Sequence, residues 1–109
     1  MKDTCDDVGV ARVHDDPPTI VHPNGDREWR VDGRRHRNND LPAIEWASGN
    51  RLWYRNDLCH RDNDLPAIEC ANGSRYWYQN GLQHRDNGLP AVIHADGAQE
   101  WWINDWRTA

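Results

Sequence analysis

Short stretches of alternating apolar and polar residues run along this chain, and the alternation restarts at a fixed interval. Leu41-Pro42-Ala43, Leu65-Pro66-Ala67 and Leu89-Pro90-Ala91 recur every 24 residues, and so do His36-Arg37, His60-Arg61 and His84-Arg85. Trp29, Trp53, Trp77 and Trp101 keep the same spacing, as do Gly25, Gly49, Gly73 and Gly97. Four copies fit, at 10–33, 34–57, 58–81 and 82–105, and the second and third agree at 15 of 24 positions. A period of this length marks a repeat architecture in which each unit buries its apolar face against the next.

Every copy carries two turn signals in which a residue tolerant of positive φ precedes glycine or aspartate. The first is Asn24-Gly25, Ser48-Gly49, Asn72-Gly73 and Asp96-Gly97; the second is Asp32-Gly33, Asn56-Asp57, Asn80-Gly81 and Asn104-Asp105. Six residues separate them, one strand length, and helical periodicity is absent. The pattern predicts three strands per copy, in copy two at 43–47, 50–55 and 58–61. If both turns are two-residue loops, Ile44 faces Trp53 and Trp53 faces His60, so an aliphatic-indole-imidazole row repeats through Trp29, Trp53, Trp77 and Trp101 with His36, His60 and His84. The same register puts Arg27, Arg51 and Arg75 beside those indoles, and sets Leu52, Tyr54, Tyr76, Tyr78 and Trp102 on the other face. The expected fold is all-β: four antiparallel hairpin or meander repeats stacked into a small twisted sheet or a solenoid. One domain spans 10–109, behind an acidic N-terminus, 1–9, expected to be disordered.

Composition narrows the chemistry. Seven Trp among 109 residues set the chain apart from disordered polar sequences, and a net charge of −5 disfavours direct binding to nucleic acid. No apolar run approaches the ~20 residues of a membrane helix, so a cytoplasmic protein without membrane contact is expected. Cys5, Cys59 and Cys70 form no close pair, which points to reduced thiols rather than a disulfide framework or zinc site. His60-Arg61-Asp62 spells the start of a kinase catalytic loop, but the Gly-rich loop and metal-binding elements are missing. Asp62-Asn63-Asp64 lacks the Gly and distal Glu of a calcium loop. Equivalent histidines of a repeat do not converge on one point, so neither a metal nor a cofactor is expected, and no enzyme.

The unit His-Arg-Asp-Asn-Asp-Leu-Pro-Ala-Ile-Glu, followed by Gly, Trp-Tyr and Asn-Gly at residues 60–81, resembles short Trp-rich repeats of bacteriophage and giant-virus proteins, sometimes described as variants of the MORN repeat. The resemblance covers nearly all of 12–105. The closely spaced glycines of the ordinary MORN repeat are missing, so lipid-binding roles do not carry over. It implies a mobile-element origin without known catalytic activity; small acidic phage proteins often inhibit host enzymes or defence systems, anti-CRISPR proteins among them.

Two surface features are candidates for binding. Asp15, Asp16, Asp40, Asp62, Asp64 and Asp86 lie in the loops between copies and would align as an acidic ridge complementary to a basic, nucleic-acid-handling surface. Arg34, Arg35 and Arg37 lie in a locally basic stretch and, with Tyr54 and Tyr78, form a secondary set. The leading expectation is a non-enzymatic module that binds and blocks a host protein, with a homodimer through open sheet edges also consistent. The alternative is a glycan or small-ligand receptor, because Trp-Tyr beside Asn-Gly also resembles cell-wall-binding choline modules.

Overall fold

The computed structural model describes residues 16–109; Cys5, Asp15 and the acidic segment 1–9 lie outside the described residues. The fold is all-β and built from repeated hairpins, each strand two residues long. Copy one supplies β1 (Ile20–Val21), β2 (Arg27–Glu28) and β3 (Arg30–Val31), then β4 (Arg34–Arg35) across the nominal boundary. Copy two follows with β5 (Ile44–Glu45), β6 (Arg51–Leu52), β7 (Tyr54–Arg55) and β8 (Leu58–Cys59). Copy three gives β9 (Ile68–Glu69), β10 (Arg75–Tyr76), β11 (Tyr78–Gln79) and β12 (Leu82–Gln83); copy four gives β13 (Val92–Ile93), β14 (Gln99–Glu100), β15 (Trp102–Ile103) and β16 (Trp106–Arg107).

The first two strands of every copy join one eight-stranded antiparallel sheet in the order β1-β2-β5-β6-β9-β10-β13-β14, while the last two pair as a separate hairpin. The expected strand at 50–55 is therefore two strands broken at Trp53, which belongs to neither. Its N–H donates to Ala67 of the next copy (2.7 Å) and its carbonyl accepts from His60 (3.1 Å), so the chain leaves the sheet and enters the hairpin at the indole. Trp29 and Trp77 repeat both bonds. Because the strand divides there, Leu52 and Tyr76 face the sheet's interior row, whereas Tyr54, Tyr78 and Trp102 belong to the hairpins; they do not form one continuous face.

The two turns of each copy differ. At the second, both central residues have positive φ (Asn56 51°, Asp57 70°), a two-residue turn that gives the expected Tyr54–Cys59 and Arg55–Leu58 pairs. At the first, only glycine is left-handed (Gly49, φ 100°), and the Gly49 N–H donates to Trp46 while the Trp46 N–H donates to Asn50. This is a three-residue loop of the type that ends in a left-handed glycine. It shifts the register by one residue, so Ile44 pairs with Leu52 and not with Trp53. A third turn, in the loops between copies, closes at Asn39-Asp40, Asn63-Asp64 and Asn87-Gly88, all with positive φ.

One face of the sheet is the apolar row Ile44, Leu52, Ile68, Tyr76 and Val92, flanked by buried Trp29, Trp53 and Trp77. Ala43, Ala67 and Ala91 are wholly enclosed, which explains the small residue after each Leu-Pro.

Candidate functional site

The six loop aspartates do not all stand free. Asp40 faces Arg61 of the following copy, whose Nε and Nη2 donate to its two carboxylate oxygens at 2.9 and 3.1 Å. Arg85 holds Asp64 in the same way at 2.9 and 3.2 Å, and Arg37 holds Asp16. Each of these guanidinium groups also lies on the indole of the preceding copy, 3.7 Å from the Trp29 and Trp53 centroids and 4.0 Å from that of Trp77. A remaining N–H of each reaches a proline carbonyl of its own copy, Pro42, Pro66 or Pro90. The Arg61 side chain is only 12% exposed, so its charge is balanced by geometry rather than by water. Arg27, Arg51 and Arg75, the arginines expected over the indoles, sit farther off at 5.7 to 6.0 Å. The closer partner comes from the next copy, a contact that counting along one strand does not reach.

Beneath each clamp the indole Nε1–H is anchored at 3.0 Å to a loop carbonyl: Trp29 to Asp16, Trp53 to Asp40, Trp77 to Asp64 and Trp101 to Gly88. The histidines make a second fastener. Nδ1 of His36, His60 and His84 accepts the backbone N–H of Asn56, Asn80 and Asn104 from the next hairpin turn. The ring proton is therefore on Nε2, which donates to Asn38, Asp62 and Asp86. Hydrogen bonding from His60 is the main reason the Asp62 carboxyl sits below the usual carboxylate range.

Ion pairing thus divides the ridge. Asp16, Asp40 and Asp64 are matched by arginine yet remain about half exposed. Asp62 (64% exposed) has Arg55 at 3.4 Å, and the carboxylate of Asp86 (74%) has the His84 imidazole and no arginine within ion-pairing distance among the described residues. In the secondary set, Arg34 is exposed, Arg35 lies 4.5 Å over the Tyr54 ring and pairs with Asp57, Arg37 is a clamp residue, and Tyr54 and Tyr78 are half-buried. A shallow cleft of about 440 Å³ runs between the 38–40 and 62–63 loops over the Trp53–Arg61 stack.

A sugar-stacking site needs an open ring face, and arginine already covers Trp29, Trp53 and Trp77. Open indole surface is found instead at Trp46 and at Trp106, which is 78% exposed. Burial pushes the Cys59 thiol up to about 12, so it stays protonated at neutral pH. Among the described residues no three His, Cys, Asp or Glu side chains converge as a metal site, and no helix is long and apolar enough to cross a membrane. Comparison with protein-family models, curated proteins and solved structures finds no match to this chain.

Proposed function

We propose that this chain is a non-enzymatic protein-binding module whose loop edge docks on a basic surface of a host protein, such as the groove of a nucleic-acid-handling effector, and blocks it. What carries the reading is the loop geometry. Asp62 and Asp86 project from equivalent places in successive copies, and the His60 and His84 side chains hold their carboxylates in fixed positions. Preorganised charge loses little side-chain entropy on binding and speeds encounter with an oppositely charged partner. Among the described residues of the edge this pair is the least compensated, Asp62 having only Arg55 at 3.4 Å and Asp86 no arginine, so docking centres on these two carboxylates. The inhibitor role and a phage origin rest on the resemblance of the repeat, and action in the host cytoplasm follows from them.

The test is affinity capture from host lysate with wild type and with Asp62→Asn/Asp86→Asn, which spares the clamp residues. A partner recovered by wild type at low salt, and several-fold less by the variant, supports the proposal. Equal recovery by both proteins removes the edge from it.

A further inference from the structure

The outer face of the sheet carries a repeated carboxylate seat. Glu69 receives Arg51 Nη2 on one oxygen at 2.9 Å and Arg61 Nη1 on the other at 3.1 Å. Glu45 sits in the same way between Arg27 and Arg37. Two guanidinium groups from neighbouring copies therefore converge on one carboxylate, both within about 6 Å of the same indole centroid.

Copy four breaks the pattern at one position. Ile93 stands where Glu45 and Glu69 stand, directly across the ladder from Arg75. Arg75 and Arg85 still flank Trp77, at 5.8 and 4.0 Å from its centroid. Glu69 faces Arg75 across the other ladder, but its two oxygens go to Arg51 and Arg61, and among the described residues Arg75 has no carboxylate within ion-pairing distance. Arg85 keeps Asp64 and the Pro90 carbonyl, but the second Nη1 hydrogen, which in Arg61 goes to glutamate, has no acceptor there. Arg75 is exposed, Ile93 partly so and the Arg85 side chain 14% exposed, so the seat opens to solvent on its Arg75 side.

We infer that the Arg75–Arg85 pair is an anion seat that takes a side-chain carboxylate from an acidic segment of a partner protein. The chain itself shows the preferred ligand twice, since Glu45 and Glu69 fill the equivalent positions. A planar carboxylate matches two guanidinium donors approaching its separate oxygens, and charge-assisted hydrogen bonds of this kind are the strong ones. The seat is on the outer face of the sheet and does not depend on the acidic loop edge.

The test uses the purified chain and a short peptide of alternating Glu and Gly, with the Gln analogue as control, followed by NMR of the Arg Nε–H and Trp indole N–H signals. The Glu peptide is expected to shift Arg75, Arg85 and Trp77, while the Gln peptide does not. Ile93→Glu supplies an internal carboxylate and should weaken peptide binding at least about tenfold. Arg75→Gln, at an exposed position, should weaken it similarly without unfolding the chain. Glu69→Ile should open a second seat, seen as new shifts at Arg51 and Arg61. No shift at any peptide concentration, undiminished binding by Ile93→Glu, acetate binding as tightly as the peptide, or tighter binding of an oligonucleotide of equal charge would each overturn the inference.

Discussion

Trp53 and Trp101 hold equivalent positions, and each donates its indole N–H to a loop carbonyl at 3.0 Å. The backbone bond to the indole residue's carbonyl is also kept, from His60 in one case and from Thr108 in the other. The side-chain fasteners are not. Arg61 covers Trp53, but Ala109 occupies that place beside Trp101; Asp40 becomes Gly88, and the histidine becomes Thr108. Trp53 is buried, whereas Trp101 is partly exposed. The comparison separates two layers of the design. Main-chain ladders run both within and between units and the indole anchor stays within one, while arginine and histidine add side-chain fasteners from each unit to its neighbour.

The largest test of that division is truncation of the two indoles. Trp53→Ala should cost about 4 kcal/mol in urea unfolding, and Trp101→Ala about 2, because only the first leaves a closed cavity. Equal losses would mean that the covering arginine and its burial add nothing. A smaller effect sharpens the contrast between enclosed and exposed arginines. Arg61→Ala should cost about 3 kcal/mol by breaking an enclosed, multiply bonded charge, whereas Arg75→Ala should stay below about 0.5 kcal/mol. A loss at Arg75 as large as at Arg61 would show that depth over the indole is irrelevant.

The smallest predicted effect concerns acid. The Asp57 carboxyl lies below its ordinary range, chiefly because the Arg35 backbone N–H donates to it and also because the Arg35 side chain does. Glu28 and Glu100 are lowered first of all by hydrogen bonds from His22 and His94. A lowered carboxyl contributes stability that is complete above its unfolded value, about 4, and is lost as pH falls through the folded one. The thermal unfolding midpoint should therefore fall modestly as pH drops below about 4. Asp57→Asn keeps an acceptor for the Arg35 N–H but removes the titrating group, and should flatten that fall slightly. An unchanged pH profile would remove Asp57 from the acid response.

Much of the fold was legible because hairpin turns are short-range devices. Asn56-Asp57 and Asn80-Gly81 carry their left-handed preference within two residues, so the Trp53–His60 register followed from counting. The first turn misled for the same reason. Ser48-Gly49 and Asn72-Gly73 satisfy the two-residue signature, but only the glycine takes positive φ. Asn63-Asp64 carried a readable signal of the third turn, obscured by its likeness to a calcium loop. The candidate site was less legible. Loop aspartates were visible, but not which of them an arginine 21 residues away neutralises.

The sequence alone determined the 24-residue period, the all-β class, the position of the tight turns and the recurrence of indole and imidazole, since each depends on local backbone preference or direct repetition. Only the tertiary structure decided that the chain leaves the sheet at each Trp, that arginine reaches across to the preceding unit, that histidine carries its proton on Nε2, and that Arg75 of the third copy and Arg85 of the fourth meet at one indole. Those outcomes depend on how far apart stacked units sit, a distance set by packing and absent from any single stretch of chain.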